Sequence, residues 1–238
     1  MRSLIIHMSA STARRPNADA LLRTLPGAEL VEAVDGRDPA QIADVVLKNG
    51  TTHRPHYPFP LRPAEIGVFQ SHRRCWQRIV DQGWEYGLIA EDDLEVDPAR
   101  LDRALGLIRR AGHSGMYVRL PVKQRETPAH ELARDGDMRF ILPKTIGLQC
   151  ICQVVGRDAA RRLLQATERI DRPVDTLLQM HWVTGQPVHA ILPNGNREVA
   201  ARIGGSTIQV KTRASGKLAR EFNRAWYRAQ VALRPQKP

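Results

Sequence analysis

The residues of this chain best suited to chemistry are three consecutive carboxylates, Glu91, Asp92 and Asp93, which close the apolar run Tyr86-Gly-Leu-Ile-Ala. Such a run reads as a buried strand, and open α/β sheets bind ligands beyond the carboxyl ends of their strands. Neighbouring carboxylates repel one another unless water solvates them or a cation sits between them. In an extended segment Glu91 and Asp93 project to one side and Asp92 to the other. Mn²⁺ or Mg²⁺ takes oxygen ligands and bridges carboxylate to phosphate, so an acid-x-acid pair suits a metal-assisted nucleotide-sugar site. The plainer alternative is a solvated turn, or acids that cap the helix region opening at Pro98.

Other candidates carry less on their own. Asp175, in Arg172-Pro-Val-Asp, begins a helix and is a natural N-cap, with a general base or ligand as the functional alternative. His181-Trp182 could be a ligand and a sugar platform, or a hydrogen-bonded histidine beside a core tryptophan. Arg14-Arg15 could hold a diphosphate, or carry solvated charge at a helix start. Ser71-His72 has no spaced acid and no nucleophile elbow, which argues against a serine hydrolase. Ile203-Gly-Gly-Ser lacks the spacing and the lysine of a phosphate loop.

Elements alternating between strand and helix must position these groups. Strand patterns cover Ser3–His7, Glu29–Val34, Tyr86–Ala90, Met116–Leu120, Phe140–Leu142, Leu148–Val155 and Val188–Leu192. Helix patterns cover Ala13–Leu25, Pro39–Lys48 with Asn49-Gly50 as its stop, Pro63–Asp81, Pro98–Arg110, Asp158–Thr167 and Pro173–Trp182. Pro63 fits a first turn and Glu65 adds a favourable charge there. Thr51–Pro60 reads as a loop, and residues 121–138 as a surface excursion. The fold class is α/β, one domain with a mixed, mostly parallel sheet flanked by helices. Residues 1–210 form that domain and residues 211–238 a basic tail.

Composition narrows the partners. The 238 residues carry a net charge of +11, which predicts an anionic partner. Eight Lys/Arg against Glu221 alone fall within residues 211–238, so the domain itself is only mildly basic and a nucleic-acid binder is disfavoured. Cys75, Cys150 and Cys152 cannot make a disulfide framework and read as small buried residues. The Leu4-Ile5-Ile6 run is too short for a signal peptide, and no stretch is long enough to span a membrane, so a reducing, cytoplasmic location is expected. In the tail, Gly216–Leu233 is patterned as a helix with an apolar stripe of Leu218, Phe222, Trp226, Ala229 and Leu233, beside Arg220, Arg224 and Arg228. Such a helix can lie in an anionic leaflet, at the inner face of the cytoplasmic membrane, or pack its stripe on the domain with the arginines in water.

Five blocks in order resemble glycosyltransferase family 25, the bacterial lipooligosaccharide galactosyltransferases and their collagen-modifying relatives. They are a strand followed by Ser11-Thr-Ala-Arg14-Arg15; Ala33-Val-Asp35-Gly36; Leu61-Arg-Pro-Ala-Glu65-Ile66-Gly67-Val-Phe-Gln-Ser71-His72; Leu88-Ile-Ala-Glu91-Asp92-Asp93; and Val155-Gly-Arg-Asp-Ala-Ala160-Arg-Arg-Leu-Leu followed by Pro173-Val-Asp175 and Trp182. The third and fourth are the most specific, against the family's GEIGC-x-x-SH and ILEDD. Ala64, Val68, Ala90 and Gln153 depart from the pattern.

The resemblance implies a GT-A-like fold, a UDP-sugar donor, Mn²⁺ or Mg²⁺, transfer with inversion, and a lipopolysaccharide or other glycan acceptor. A protein or small-glycoside acceptor is the alternative within the family, and a non-catalytic scaffold or nucleic-acid protein using its basic tail the rival outside it. It implies that Asp93, helped by Glu91 or Asp92, holds the metal and that Arg14 supports the nucleotide. Asp175 is the first choice for the base and Glu91 the second. Asp35, Glu65, Ser71, His72 and Asp92 complete the cofactor-binding set. Glu65 and His72, two turns apart on one helix, either reach one pocket or brace the acidic strand end.

Overall fold

The computed structural model describes residues 1–48, 50–205 and 217–238, the side chains of residues 217–220 excepted. The chain runs β1 (Arg2–His7), α1 (Arg15–Thr24), β2 (Ala28–Glu32), a 3-10 turn (Pro39–Ile42), β3 (Val46–Leu47), α2 (Pro63–Asp81), β4 (Tyr86–Glu91), β5 (Leu94–Glu95) and α3 (Pro98–Ala111). It continues through β6 (Tyr117–Arg119), β7 (Pro128–Asp135), β8 (Met138–Pro143), β9 (Cys152–Gly156), α4 (Arg157–Ala166), β10 (Arg169–Ile170), α5 (Val174–Leu178), α6 (His181–Thr184), β11 (Val188–Leu192), β12 (Arg197–Glu198) and α7 (Lys217–Ala232).

Eight strands form the main sheet in the order β2-β1-β4-β9-β6-β11-β8-β7. β9 and β8 run against the other six, which makes the sheet mixed and mostly parallel, as expected. Strand alternation divides the core between two faces. Leu4, Ile6, Ile89, Tyr117 and Val155 pack against Ile66, Phe69, Trp76 and Ile79 of α2 and Leu163 of α4. Ile5, Leu88, Ala90, Val118 and Val154 pack against Leu21 of α1 and Leu101, Leu105 and Ile108 of α3. The N-terminus of α2 lies on the end of β2 through glycines: a Cβ on Gly67 would fall 2.4 Å from the Val34 carbonyl, and one on Gly36 1.7 Å from that of Pro63.

Four expectations need correction. Pro39–Lys48 is not a helix; after the 3-10 turn, Val46 and Leu47 pair with β10. None of the residues in that turn is fully buried, although Ile42 and Val45 pack against the core, and Asn49 of its expected stop lies outside the described residues. Residues 121–138 are not an irregular excursion, because β7 forms an edge hairpin with β8. Two bulges and a half-exposed edge blur its alternation, while Asp135-Gly136, with Gly136 at φ +58°, makes the turn. The expected strand Leu148–Val155 is regular only from Cys152. Pro173–Trp182 breaks into α5 and α6, and Pro173 rather than Asp175 is the N-cap of α5.

The tail helix docks with the face opposite to the expected stripe. Tyr227 and Val231 are buried, whereas Phe222, Trp226 and Leu233 are 70%, 60% and 80% exposed. Arg224 lies over the Phe59 ring at 5.4 Å instead of flanking the stripe. The side chains of Leu218 and Arg220 lie outside the described residues. All three cysteines are free and buried. No helix among the described residues is long and apolar enough to cross a membrane.

Arg172 clamps this dock. It is fully buried, pairs with both oxygens of Asp171 at 2.7 Å, and donates to the Pro55 carbonyl (3.0 Å) and the Tyr227 hydroxyl (3.2 Å). Removing one member of a buried pair leaves an uncompensated charge. Arg172→Ala therefore costs roughly 3–5 kcal/mol in urea unfolding and exposes α7 to limited proteolysis.

Candidate active site

The acidic cluster is organised by the pairing of β1 with β4. The two strands are parallel, with Ile6 opposite Glu91. Their carboxyl ends therefore lie side by side, and the next residues, His7 and Asp92, meet. His7 Nδ1 lies 2.8 Å from Asp92 Oδ2, and Arg14 Nη1, from the start of α1, donates to Asp92 Oδ1 at 2.7 Å. Asn17 Nδ2 donates to the backbone carbonyls of Asp92 (2.7 Å) and Leu94 (2.9 Å). Both carboxylate oxygens of Asp92 are committed within the protein, so this residue sets the shape of the turn. Arg14 is committed too, to Asp92 and, through Nη2, to the Gly205 carbonyl at 2.8 Å.

Glu91 turns to the opposite face of the sheet. Its Oε1 accepts from His72 Nε2 at 3.2 Å, and Gln153 Nε2 of β9 donates to His72 Nδ1 at 3.2 Å. His72 and Gln153 are both fully buried. His72 thus braces the acidic strand end. Gln153 fixes the ring from behind.

Asp93 differs from its neighbours. Backbone alternation ends at Glu91, because Asp92 and Asp93 form a turn, and Asp93 Oδ2 swings to within 3.4 Å of Arg14 Nη1. Its Oδ1 is buried and has no partner among the described residues. Burial and the nearby Glu91 push its carboxyl up to about 7, against the pull of Arg14.

A second wall faces this turn. β12 pairs with β5, and the Val199 N–H donates to the Asp93 carbonyl at 2.8 Å. This brings Glu198 close enough to raise the Asp93 carboxyl further. The Gln149 side chain donates to Glu198 Oε2 at 3.1 Å, and the Gln149 backbone N–H donates to Asp175 Oδ2 at 3.1 Å. Asp93, Glu198, Gln149 and Asp175 therefore form a continuous rim. Glu198 and Gln149 were not singled out from the sequence. Neither lies in a motif, and their neighbourhood is created by pairings across dozens of residues.

The other sequence candidates lie apart or serve the scaffold. Ser71 is buried, accepts from the Val34 N–H and donates to the Gly67 carbonyl, each at 2.8 Å, tying α2 to β2. Glu65 Oε2 accepts from the Arg62 N–H at 2.8 Å at the start of α2. Asp35 pairs locally with Arg37, whose hydrogen bonds lower its carboxyl. Arg15 pairs with Asp19 one turn on. Trp182 donates to the Arg54 carbonyl at 3.3 Å and lies under Arg234, and His181 Nε2 lies 3.1 Å from the Arg234 carbonyl.

Among the described residues, no group of three or more His, Cys, Asp and Glu forms a cage for a metal ion. Mg²⁺-like ions do not require one: one or two carboxylates suffice when a substrate phosphate and water supply the other ligands. The buried, unpartnered Oδ1 of Asp93 fits such a shared ion. Asp92, with both oxygens engaged, does not.

Comparison with known proteins places these features in a family. The family model described as glycosyltransferase family 25 (LPS biosynthesis protein) matches residues 1–178. A glycosyltransferase 25 family member of Drosophila melanogaster is 24% identical over 201 residues, 78% of this chain and 32% of that protein. Procollagen galactosyltransferase 1 of Danio rerio is 33% identical over 91 residues, 35% of this chain and 15% of that protein. The chain thus spans about a third or less of the curated relatives it matches. A solved structure, mannose-1-phosphate geranyltransferase from Thermus thermophilus, aligns over 80% of this chain and 73% of that one, at 12% identity and a TM-score of 0.37, too slight a likeness to carry an argument.

The raised Asp93 carboxyl makes a stability prediction. The unfolded chain releases this proton near the ordinary value of 3.8, whereas the folded chain keeps it to about 7. The folded state therefore loses stability as pH rises through that window. Asp93→Asn raises the melting temperature at pH 8 in the presence of a chelator, by about 2–4 °C for each kcal/mol recovered. The gain disappears below pH 4. Calorimetry at both pH values measures it.

Proposed function

This chain belongs to glycosyltransferase family 25, and from that premise we propose that it moves a hexose from a UDP-sugar to a hydroxyl acceptor with inversion at the anomeric carbon. The observation that carries this reading is the unpartnered, buried oxygen of Asp93 beside a fully satisfied Asp92.

In the proposed reaction the acceptor oxygen bonds to the anomeric carbon as the bond to the diphosphate oxygen breaks, and a base takes the acceptor proton. Asp93 would hold Mn²⁺ or Mg²⁺ with phosphate and water as the other ligands. The sequence pairing of Glu91 with Asp93 as joint ligands gives way, because Glu91 faces His72 while Asp93 turns to Arg14. When bound, the ion supplies positive charge against the diphosphate. Arg14 acts on the nucleotide side by fixing Asp92 and lying 3.4 Å from Asp93. Asp175 is the base: Gln149 N–H and the Thr176 hydroxyl orient its carboxylate while leaving it partly exposed to a substrate. Glu91, its side chain 29% exposed and held by His72, is the second choice.

The name of the zebrafish relative makes galactose the first sugar to test, and the family's description makes a lipopolysaccharide acceptor the first acceptor. The surface supports a membrane-borne acceptor. The outward side of α7 carries Phe222 and Trp226, with Leu233 just past its end, and Arg228 and Lys237 are exposed in the same basic tail. Apolar side chains with basic neighbours suit an anionic leaflet. A second copy of an equally basic tail would instead be repelled.

A donor screen tests the reaction. UDP release from UDP-galactose, UDP-glucose and the UDP-N-acetylhexosamines is measured with and without Mn²⁺. Release from at least one donor should require the metal and fall at least about 100-fold in Asp93→Asn. Asp175→Asn should lower kcat roughly 10²–10⁴-fold, and near-normal turnover in that variant would move the base to Glu91. No release from any donor would contradict the transferase reading.

Membrane binding has a separate readout. The intact chain should pellet with phosphatidylglycerol vesicles and not with phosphatidylcholine vesicles. Replacing Phe222, Trp226 and Leu233 together by serine should abolish pelleting, and unchanged pelleting would remove α7 from the membrane contact.

A further inference from the structure

Gln149 is the one non-glycine residue with positive φ among the described residues, at 78°. A side chain there is strained, and the fold holds it from several directions. Arg119, almost wholly buried, donates to the Leu148 carbonyl at 2.6 Å and to the Gln149 carbonyl at 3.2 Å. Its guanidinium is itself fixed by Glu126 at 2.5 Å. Gly147 makes room for that ion pair, since a Cβ there would lie 2.5 Å from Glu126 Oε1 and 2.9 Å from Arg119 Nη1. Asp175 then takes the Gln149 N–H, and the half-buried side chain reaches across to Glu198. A buried ion pair, a glycine and two further carboxylates thus combine to place one carboxamide.

The position of that carboxamide along the rim indicates what it meets. Asp93 stands at one end, beside Glu198, where the diphosphate and its cation belong. Asp175 stands at the other end, where the acceptor proton leaves. Gln149 lies between them, bonded to both Glu198 and Asp175. In the donor, the group between the diphosphate and the attacked carbon's acceptor is the hexose. A neutral carboxamide flanked by carboxylates suits hydroxyl groups, which donate to the acids and the amide oxygen and accept from the amide nitrogen. It does not suit phosphate, which the flanking acids repel.

We propose that Gln149 is a substrate-binding residue that hydrogen-bonds a hydroxyl of the transferred hexose, held between Glu198 and Asp175 by the Arg119–Glu126 clamp. This assignment rests on the transferase reading above and extends it to the sugar-binding residue. A site built to hydrogen-bond a substrate hydroxyl loses heavily when that contact is removed.

Two variants separate the carboxamide from the backbone. Gln149→Gly removes the side chain and relieves the strain, because glycine is at ease at this φ. Gln149→Ala removes the side chain and keeps the strain. The measurements are melting temperature, inhibition by free UDP, which carries no hexose, and kcat/KM with the UDP-hexose that the unaltered chain uses. The expected result has three parts. Gln149→Gly melts at or above the unaltered chain. Both variants bind UDP within about twofold of it. Both lose at least tenfold in kcat/KM for the donor. A loss under threefold in either variant overturns the assignment. A parallel loss of UDP affinity overturns it too, since the effect would then lie on the nucleotide. A rise confined to the acceptor KM likewise overturns it. If the unaltered chain transfers from no donor, the transferase reading fails and takes this assignment with it; an active unaltered chain with active variants overturns this assignment alone.

Discussion

The parallel register of β1 against β4 is the constraint on which the rest of the site depends. With Ile6 opposite Glu91, His7 meets Asp92 at the strand ends, and Arg14 closes on the same carboxylate from the start of α1. A carboxylate with both oxygens bonded to cationic or polar donors is a stable structural element, even when buried. Its neighbour one residue on cannot be satisfied in the same way, because the donors are already engaged. Asp93 is therefore left with a buried oxygen without a partner among the described residues and a proton held to about 7. Three adjacent acids divide into one that shapes the turn, one braced by His72, and one whose buried oxygen has no partner among the described residues.

This division explains how a chain of net charge +11 can have an acidic candidate site. Among the described residues, Arg14 is the guanidinium bonded to the cluster, and it is needed to hold Asp92. The nearby acids Glu198 and Asp175, with Glu91 behind them, disfavour a bare phosphate. A cation brought with the diphosphate reverses that local potential, so the nucleotide and the metal would bind as a unit. The basic excess belongs to the tail, whose helix packs Tyr227 and Val231 inward and leaves a second apolar face outward. The two charge systems serve different surfaces of one molecule.

Much of this was legible in the residues themselves. Pro63–Asp81 announces its helix by a proline start and apolar spacing, and the structure ends it at the same residues. Tyr86–Ala90 reads as the buried strand that delivers the acids. What escaped is set by long-range geometry. Which of Glu91, Asp92 and Asp93 is free depends on His7 and Arg14, whose approach only the sheet register reveals. Glu198 and Gln149 gain meaning through the β12–β5 pairing and the Arg119 clamp, neither of which has a local signature. The edge strand β7 was hidden because one-sided exposure and bulges erase alternation. The spacing of the tail predicts its helix, but a helix with two apolar faces does not disclose which of them docks.

The central claim, that Asp93 and not Asp92 is the acid held ready for a cation, is tested most directly by titrating Mn²⁺ into the chain with saturating UDP. The free ion is followed by its electron paramagnetic resonance signal. Beyond what UDP itself binds in solution, the unaltered chain should take up about one Mn²⁺ per chain, and Asp93→Asn should take up none. Equal uptake by Asp93→Asn and the unaltered chain would contradict the account.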